Sequence, residues 1–241
     1  MNLKVIKIKS EIFLRKVTEK FNVDLKMTDE EGFIKLLHYK KIDLVLDVGA
    51  NVGQYAQSLL GLGYKGNIVS FEPLSNAYNL LSKKAKKYSN WNVAEKIGLG
   101  DYDGEAQINV SKNSVSSSLL NMSEEHINAS PDALYINKET IKVKKLDSVF
   151  DQYKENFKNI FLKIDTQGFE EQVLKGASKS LSKIKGLQLE LSLVPLYENQ
   201  KLFIEMVEII KSFGFNVYSI QQGFTNKQTG RVLQVDTVFF K

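Results

Sequence analysis

Three acidic side chains, those of Asp47, Glu72 and Asp165, each follow a mostly apolar run with the length of a buried strand. The runs are Leu44–Leu46, Ile68–Phe71 and Ile160–Ile164. In an open α/β sheet, ligands bind in the crevice outside the carboxyl ends of the parallel strands. We therefore expect the three carboxylates to point towards one crevice, where they are available for binding a ligand and for proton transfer.

The stretch Asp47–Gln54, of sequence DVGANVGQ, brings glycines to the turn between a predicted strand and a predicted helix. Glycine lets a ligand approach the main chain, because a side chain there would hold the ligand away. The dinucleotide pattern G-x-G-x-x-G/A is not met, since its second and third glycine positions are Asn51 and Gln54 when counted from Gly49. The loop thus favours a nucleotide-like ligand without a pyrophosphate, and it argues against an NAD-dependent oxidoreductase.

Glu72 lies at the end of the second predicted strand, roughly 20 residues after the first glycine of this loop. An acidic residue at that position usually accepts hydrogen bonds from ribose hydroxyls. Taken alone, the loop is compatible with a tight turn, and Glu72 with a surface glutamate. Together, at this spacing, the two features favour a binding site for a nucleoside.

The pattern D-x-G-x-N-x-G resembles motif I of class I methyltransferases that use S-adenosylmethionine. Further segments stand in the order and spacing of one family of these enzymes; they are Phe71-Glu72-Pro73, Leu99-Gly100-Asp101 with Gly104, Leu146-Asp147, and Lys163–Glu170. Over roughly residues 40–220 the chain is similar to the FkbM methyltransferases. The resemblance implies an S-adenosylmethionine-dependent O-methyltransferase that acts on a sugar, glycan-precursor or related natural-product hydroxyl.

The resemblance also implies roles for the residues of the motif I loop. Gly49, Asn51 and Gly53 would line the methionine and ribose parts of the cofactor. Asp47 would hold the loop and the ammonium group of the cofactor, directly or through water.

Beyond the loop, the resemblance implies that Glu72 binds the ribose hydroxyls and that Asp101 lies near the adenine, where it reads the exocyclic amine. The other residues expected at the cofactor are Ala50, Gln54, Pro73, Ser118 and Asp165. At one position the chain departs from the family, which commonly shows Asp-Val-Glu-Gly where this sequence has Asp165-Thr166-Gln167-Gly168. The resemblance therefore assigns no catalytic or metal-binding carboxylate to Gln167.

A sulfonium methyl group is already activated, so alignment of the reactants is the main requirement, and proximity alone supplies about 7–11 kcal/mol. A hydroxyl acceptor still gains about 10²–10⁴-fold from a base that takes its proton. The candidates are Asp165, Glu170, Glu190 and His126. Asp165 is favoured because it ends a strand beside the expected methyl position, with a turn carboxylate as its alternative role. Glu170 has the alternative of stabilising a helix dipole, and His126 that of a solvated loop residue.

The composition excludes several other chemistries. The chain has no cysteine, which removes disulfides, thiolate zinc sites, cysteine nucleophiles and iron–sulfur clusters, and with them radical use of S-adenosylmethionine. It has two histidines and dispersed carboxylates, so we predict no metal site. A net charge of +5 permits an anionic partner without requiring one.

From Asp43 onward, strand-like and helix-like segments alternate, which predicts a parallel sheet with helices on both faces. The predicted strands are 44–48, 67–71, 91–96, 160–164, 187–191, 215–220 and 235–240, and the predicted helices are 53–61, 75–88, 169–174 and 199–213. The polar segment before the last strand suits a hairpin. The predicted fold is therefore α/β, with a seven-stranded, mostly parallel Rossmann-like sheet and an antiparallel last strand.

The predicted organisation is a helical extension over residues 1–40, packed on a methyltransferase domain over residues 41–241. Within that domain, residues 101–143 break the alternation and predict an insertion-like loop with a short strand at 106–110 and a weak helix at 121–137. We expect a lid or substrate-recognition segment there, with a surface insertion as the alternative.

The expected partner is a small-molecule or glycan acceptor. Nucleic acid is not favoured, since no N/D-P-P-Y/F tetrapeptide for amino-nitrogen methylation is present. A methyltransferase acting on nucleic acid and a non-catalytic S-adenosylmethionine-binding interaction module stay open as alternatives, and so does the oligomeric state, with a homodimer among its options. No apolar run approaches the roughly 18 residues of a membrane span and no signal peptide is recognisable, so we expect a cytoplasmic protein.

Overall fold

A seven-stranded sheet forms the centre of the structure, a computed structural model that describes residues 29–154 and 156–241. In spatial order its strands are β3 (Trp91–Val93), β2 (Asn67–Phe71), β1 (Leu44–Val48), β7 (Ile160–Ile164), β8 (Ile184–Ser192), β10 (Gln234–Phe240) and β9 (Asn216–Gln222). The first five are parallel, and β10 runs antiparallel to both of its neighbours. The predicted mostly parallel sheet with an antiparallel last strand is confirmed.

The two central strands, β1 and β7, are buried at every position, which explains why both are apolar apart from Asp47 and Lys163. Helices cover both faces of the sheet; they are α1 (Asp29–Tyr39), α2 (Gln54–Gly61), α3 (Ser75–Ala85), α5 (Leu146–Lys154), α6 (Glu170–Gly176) and α7 (Phe203–Ser212). A further short helix, α4 (Glu124–Ala129), packs in a separate apolar cluster. One core cluster joins Val45 of β1 to α1, α2 and α3, and the other joins Leu44 and Leu46 to α5, α6 and α7. Alternate residues of one strand thus pack into opposite halves of the core.

A second, three-stranded sheet has the order β4 (Gly98–Leu99), β6 (Tyr135–Lys144), β5 (Gly104–Ser111). Residues 101–143 are more regular than the expected loop. The predicted short strand at 106–110 lies within β5 and the predicted weak helix at 121–137 contains α4, but most of β6 was not predicted. The apolar residues Ile108, Ile141 and Val143 pack on Leu74, while much of β6 is charged and exposed. Because only the carboxyl-terminal half of β6 is buried, its sequence lacks a clear strand pattern.

The helix α1 packs on the sheet through Phe33, whose ring lies edge-on to that of Phe161 at 5.6 Å between centroids. Ile34 and Leu37 are buried beside it. Residues 1–28, to which most of the predicted helical extension belongs, lie outside the described residues. No helix in the described part of the chain has the length and apolar content needed to cross a bilayer.

Candidate active site

A cavity of about 450 Å³ opens at the carboxyl ends of the parallel strands. Its walls come from the turn after β1, the ends of β2, β7 and β8, the start of β10, and the segment that follows β5. Glu72 and Asp165 both line the cavity, as the strand-end argument predicts. Asp47, the third carboxylate of that argument, is buried and does not line it.

The turn after β1 has three residues in the left-handed region, with φ of 74° at Gly49, 47° at Asn51 and 84° at Gly53. A Cβ on Gly49 would lie 1.8 Å from the carbonyl oxygen of Asp165, and one on Gly53 would lie 2.6 Å from the ring of Trp91. These glycines therefore let the loop pack against the turn after β7 and against Trp91 of the same chain. This role differs from the one expected from the sequence, in which glycine lets a ligand approach the main chain.

Glu72 ties the loop to the end of β2. Its Oε2 accepts a hydrogen bond from the N–H of Asn51 at 2.8 Å, and its Oε1 accepts one from the N–H of Leu74 at 2.8 Å. Burial raises the pKa of Glu72 to about 7, although both backbone donors favour the ionised form. Each carboxylate oxygen has further acceptor capacity, so Glu72 is suited to receive ribose hydroxyls.

Beside Glu72 the cavity has an apolar slot that includes Leu74, Ile97 and Leu99. Apolar side chains of this kind suit contact with the faces of a nucleobase. Asp101, which was expected near the adenine, is exposed and does not line the cavity. The chain leaves the cavity after Leu99, the last residue of β4, and so before it reaches Asp101.

Asp47 forms a buried ion pair with Lys163. The Nζ of Lys163 lies 3.2 Å from Oδ1 of Asp47 and 3.4 Å from Oδ2 of Asp165. Ser70 donates to the other oxygen of Asp47 at 3.0 Å. Burial opposes the charge of Lys163, but the two carboxylates more than offset this and raise its pKa. Asp47 is thus a counter-ion under the cavity floor, and the expected direct contact with a cofactor ammonium does not fit this position.

The wall opposite the slot is acidic and polar. It contains Asp165, Glu190 and Asp236, together with the amides of Gln167 and Gln188. Asp236 stands opposite Glu190 in the antiparallel register of β10 and β8, a pairing that sequence analysis missed because it joins distant segments. Burial raises the pKa of Glu190 well above its ordinary value, with repulsion from Asp165 as the next cause, and burial raises the pKa of Asp236 to about 6.

Gln167 connects two of these carboxylates. Its Nε2 donates to Oδ1 of Asp165 at 2.7 Å and to Oε2 of Glu190 at 2.9 Å. Its Oε1 accepts a hydrogen bond from the hydroxyl of Tyr197 at 2.7 Å. The position that lacks the family carboxylate therefore supplies a hydrogen-bond donor between two other carboxylates.

Two of the four candidate bases lie outside the cavity lining. Glu170 is buried, and its Oε1 accepts hydrogen bonds from the N–H groups of Thr166 at 2.9 Å and Gly168 at 3.2 Å, so it stabilises the turn before α6. Burial raises its pKa to about 7. His126 is a buried residue of α4 rather than a solvated loop residue; its ring packs on Tyr197, and burial lowers its pKa to about 4.

Some of the remaining residues expected at the cofactor line the cavity, and one does not. Ala50, Gln54 and Pro73 line the cavity. Ser118 is buried outside it and donates to the carbonyl of Gln167 at 2.6 Å. Its neighbour Ser114 does line the cavity, and the Nδ2 of Asn51 donates to the Ser114 hydroxyl at 3.3 Å.

Among the described residues, no group of three or more His, Cys, Asp or Glu side chains is arranged to hold a metal ion. The sheet order, the glycine turn after β1 and the acidic end of β2 together define a class I methyltransferase.

A model of the FkbM methyltransferase domain matches residues 47–217, which is well over half of the chain. The protein therefore belongs to the FkbM methyltransferase family, and its methyl donor is S-adenosylmethionine. The loop, Glu72 and the apolar slot fit this cofactor. A search of the curated proteins gives no match.

Solved structures with a similar fold include the magnesium protoporphyrin IX methyltransferase of Synechocystis PCC 6803 with bound S-adenosylmethionine. It has 11% identity and a TM-score of 0.46, with 90% of this chain and 86% of that chain covered. TehB from Haemophilus influenzae has 13% identity and a TM-score of 0.47, with 93% and 65% covered. At this level of similarity neither match carries an argument about the acceptor.

Proposed function

We propose that this protein transfers the methyl group of S-adenosylmethionine to a hydroxyl of a sugar, a glycan precursor or a related natural product. The observation that carries the proposal is the composition of one cavity wall, which contains Asp165, Glu190, Asp236 and the amides of Gln167 and Gln188. A ligand rich in hydroxyls needs several hydrogen-bonding groups to fix its orientation in a pocket, and this wall supplies them.

The cofactor half of the cavity accounts for the methyl donor. Glu72 would accept the ribose hydroxyls, the slot around Leu74 and Ile97 would hold the adenine, and the turn at Gly49 would border the methionine part. When bound, S-adenosylmethionine supplies an activated methyl group on a sulfonium. The chain's own contribution is to align the acceptor with that group and to receive the proton.

Glu190 is the better placed of the two remaining candidate bases. Asp165 is engaged in an ion pair with Lys163 at 3.4 Å, whereas no ion pair joins Glu190 to another described residue. Because burial raises the pKa of Glu190, its ionised form is a stronger base than an ordinary glutamate, as a general base near neutral pH requires. With the methyl donor bound, Glu190 would take the proton of the acceptor hydroxyl as that oxygen receives the methyl group, and the donor would leave as S-adenosylhomocysteine.

The test combines cofactor binding with acceptor screening. Calorimetry with S-adenosylhomocysteine, with NADH as the comparison ligand, measures whether the cofactor half works. Radiolabelled methyl transfer is then screened against nucleotide sugars, glycosides, polyketide alcohols and total RNA. We expect label in an ether of a small hydroxyl acceptor. Label in RNA alone would replace the proposal with nucleic-acid methylation. Tight binding without transfer to any acceptor would favour the interaction module.

A further inference from the structure

We propose that Tyr197 and Gln167 are positioning residues of this active site. The Tyr197 hydroxyl fixes the orientation of the Gln167 amide. The amide in turn holds the carboxylates of Asp165 and Glu190 side by side in the acidic wall of the cavity, called the acceptor wall below. The part of this inference that concerns turnover rests on the proposed function. The part that concerns the carboxylates is independent of it.

The geometry of the amide has a single consistent orientation. Ionised carboxylates only accept hydrogen bonds, so the Nε2 of Gln167 must face Asp165 and Glu190, at 2.7 and 2.9 Å. The Oε1 is then left to accept from Tyr197, at 2.7 Å. With the tyrosine hydroxyl gone, this oxygen would lose its partner, and the amide would be free to rotate and turn its acceptor towards the carboxylates.

The backbone holds Gln167 in place from two further directions. Gln167 has a φ of 55°, in the left-handed region that non-glycine residues seldom adopt. Ser118 donates to its carbonyl at 2.6 Å. A Cβ on the following residue, Gly168, would lie 2.9 Å from the ring of Tyr197. Tyr197 is almost completely buried and therefore contacts both the side chain of Gln167 and the turn that carries it.

The charges around Glu190 show what the amide does there. Carboxylates face Glu190 from three elements: Asp165 after β7, Asp236 on β10 and Glu170 on α6. Burial and these three neighbours all raise the pKa of Glu190, while the hydrogen bond from Gln167 lowers it. Lys163 and Tyr197 are the other titratable groups in this environment. Loss of the oriented donor would therefore favour the protonated form of Glu190.

The first variant is Tyr197→Phe, which keeps the ring and removes the hydroxyl. We expect kcat to fall about 10- to 100-fold, since small misplacements of reacting groups have effects of that size, with little change in KM. The acid limb of the pH–rate profile should move to higher pH by about half a unit or more, because a protonated Glu190 takes no proton. Tyr78→Phe is the matched control, since its hydroxyl donates to the carbonyl of Ala94 at 3.0 Å, away from the carboxylates.

A second readout does not depend on turnover. The side-chain carboxyl carbon of Glu190, assigned by its disappearance in Glu190→Gln, is titrated by NMR in wild type, Tyr197→Phe and Gln167→Leu. We expect its pKa to rise in both variants and to stay unchanged in Tyr78→Phe. If thermal unfolding shows that the Tyr197→Phe variant is not folded, the Gln167→Leu variant alone provides the test.

Unchanged titration of Glu190 together with an unchanged pH–rate profile would overturn the positioning role. If wild type transfers no methyl group to any acceptor, the proposed function fails, and the NMR titration still decides the role of Tyr197 and Gln167. A fall in activity with no change in either pH readout would assign Tyr197 a packing role only, which also overturns the inference.

Discussion

The ammonium of Lys163 lies 3.2 Å from Oδ1 of Asp47; Asp47 is completely buried, and the largely buried Lys163 also lines the cavity. This ion pair links the end of β1 to the end of β7, the two strands whose following turns form the proposed cofactor and acceptor sides of the site. Asp47, the first residue of the glycine loop motif, thus stabilises the charge of Lys163 at the cavity.

Asp47→Asn tests the importance of this pair. The change leaves a buried ammonium with Asp165 as its remaining carboxylate, and breaking a buried pair costs about 3 kcal/mol or more. Urea unfolding at pH 7 measures the loss. Asp151→Asn is the control, because Asp151 pairs with Lys154 at the surface and its loss should hardly move the midpoint. Equal midpoints for wild type and Asp47→Asn would contradict the counter-ion role.

Glu72→Gln should weaken binding of S-adenosylhomocysteine. The substitution removes charge-assisted bonds to the loop and to the ribose, each worth about 1.5–3 kcal/mol, so Kd should rise about 10- to 100-fold. Calorimetry measures the change. Glu105→Gln, at an exposed position, should bind as wild type does. An unaltered Kd in Glu72→Gln would remove Glu72 from the cofactor site.

The same carboxylate predicts a pH dependence. Burial raises the pKa of Glu72 to about 7, so the ionised form that accepts ribose hydroxyls is depleted as the pH falls from 8 to 6. Affinity for S-adenosylhomocysteine should therefore decrease over that range in wild type. In Glu72→Gln the affinity should change little between pH 8 and pH 6. If the affinity of the variant still falls over that range, the pH dependence belongs to another group.

Gly49→Ala should be far more damaging than Gly63→Ala, although both glycines have positive φ. A Cβ on Gly49 would meet the carbonyl of Asp165 at 1.8 Å, whereas one on Gly63 would meet nothing within 4 Å. We expect about 1 kcal/mol of backbone strain in Gly63→Ala and a much larger loss of stability in Gly49→Ala. Thermal unfolding of the two variants compares them, and similar melting temperatures would show that the loop relaxes freely.

Glu190→Gln should lower kcat about 10²–10⁴-fold, because the amide cannot take the acceptor proton. Binding of S-adenosylhomocysteine should persist, since Glu190 belongs to the acceptor wall. Glu198→Gln is the matched control, as Glu198 is exposed. Full activity in Glu190→Gln would transfer the role of base to Asp165, which Asp165→Asn then tests by the same assay.

The main sheet was predictable from local patterns. β1, β2 and β7 begin and end at the predicted residues because strands buried on both faces are continuous apolar runs. The second sheet was only partly predictable. The strand predicted at 106–110 lies within β5, but β6 has exposed residues along much of its length and is specified by its pairing with β5. The helix α5 was missed as well.

The sequence by itself determined the family, the cofactor and the strand-end positions of Glu72 and Asp165, because each of these follows from a short contiguous motif. Only the tertiary structure decided which side chains meet. Asp236 reaches Glu190 through antiparallel pairing, and Tyr197 reaches Gln167 across 30 positions of chain. Local patterns carry no information about such long-range contacts, and the same limit explains why His126 and Asp101 lie away from the cavity that they were expected to line.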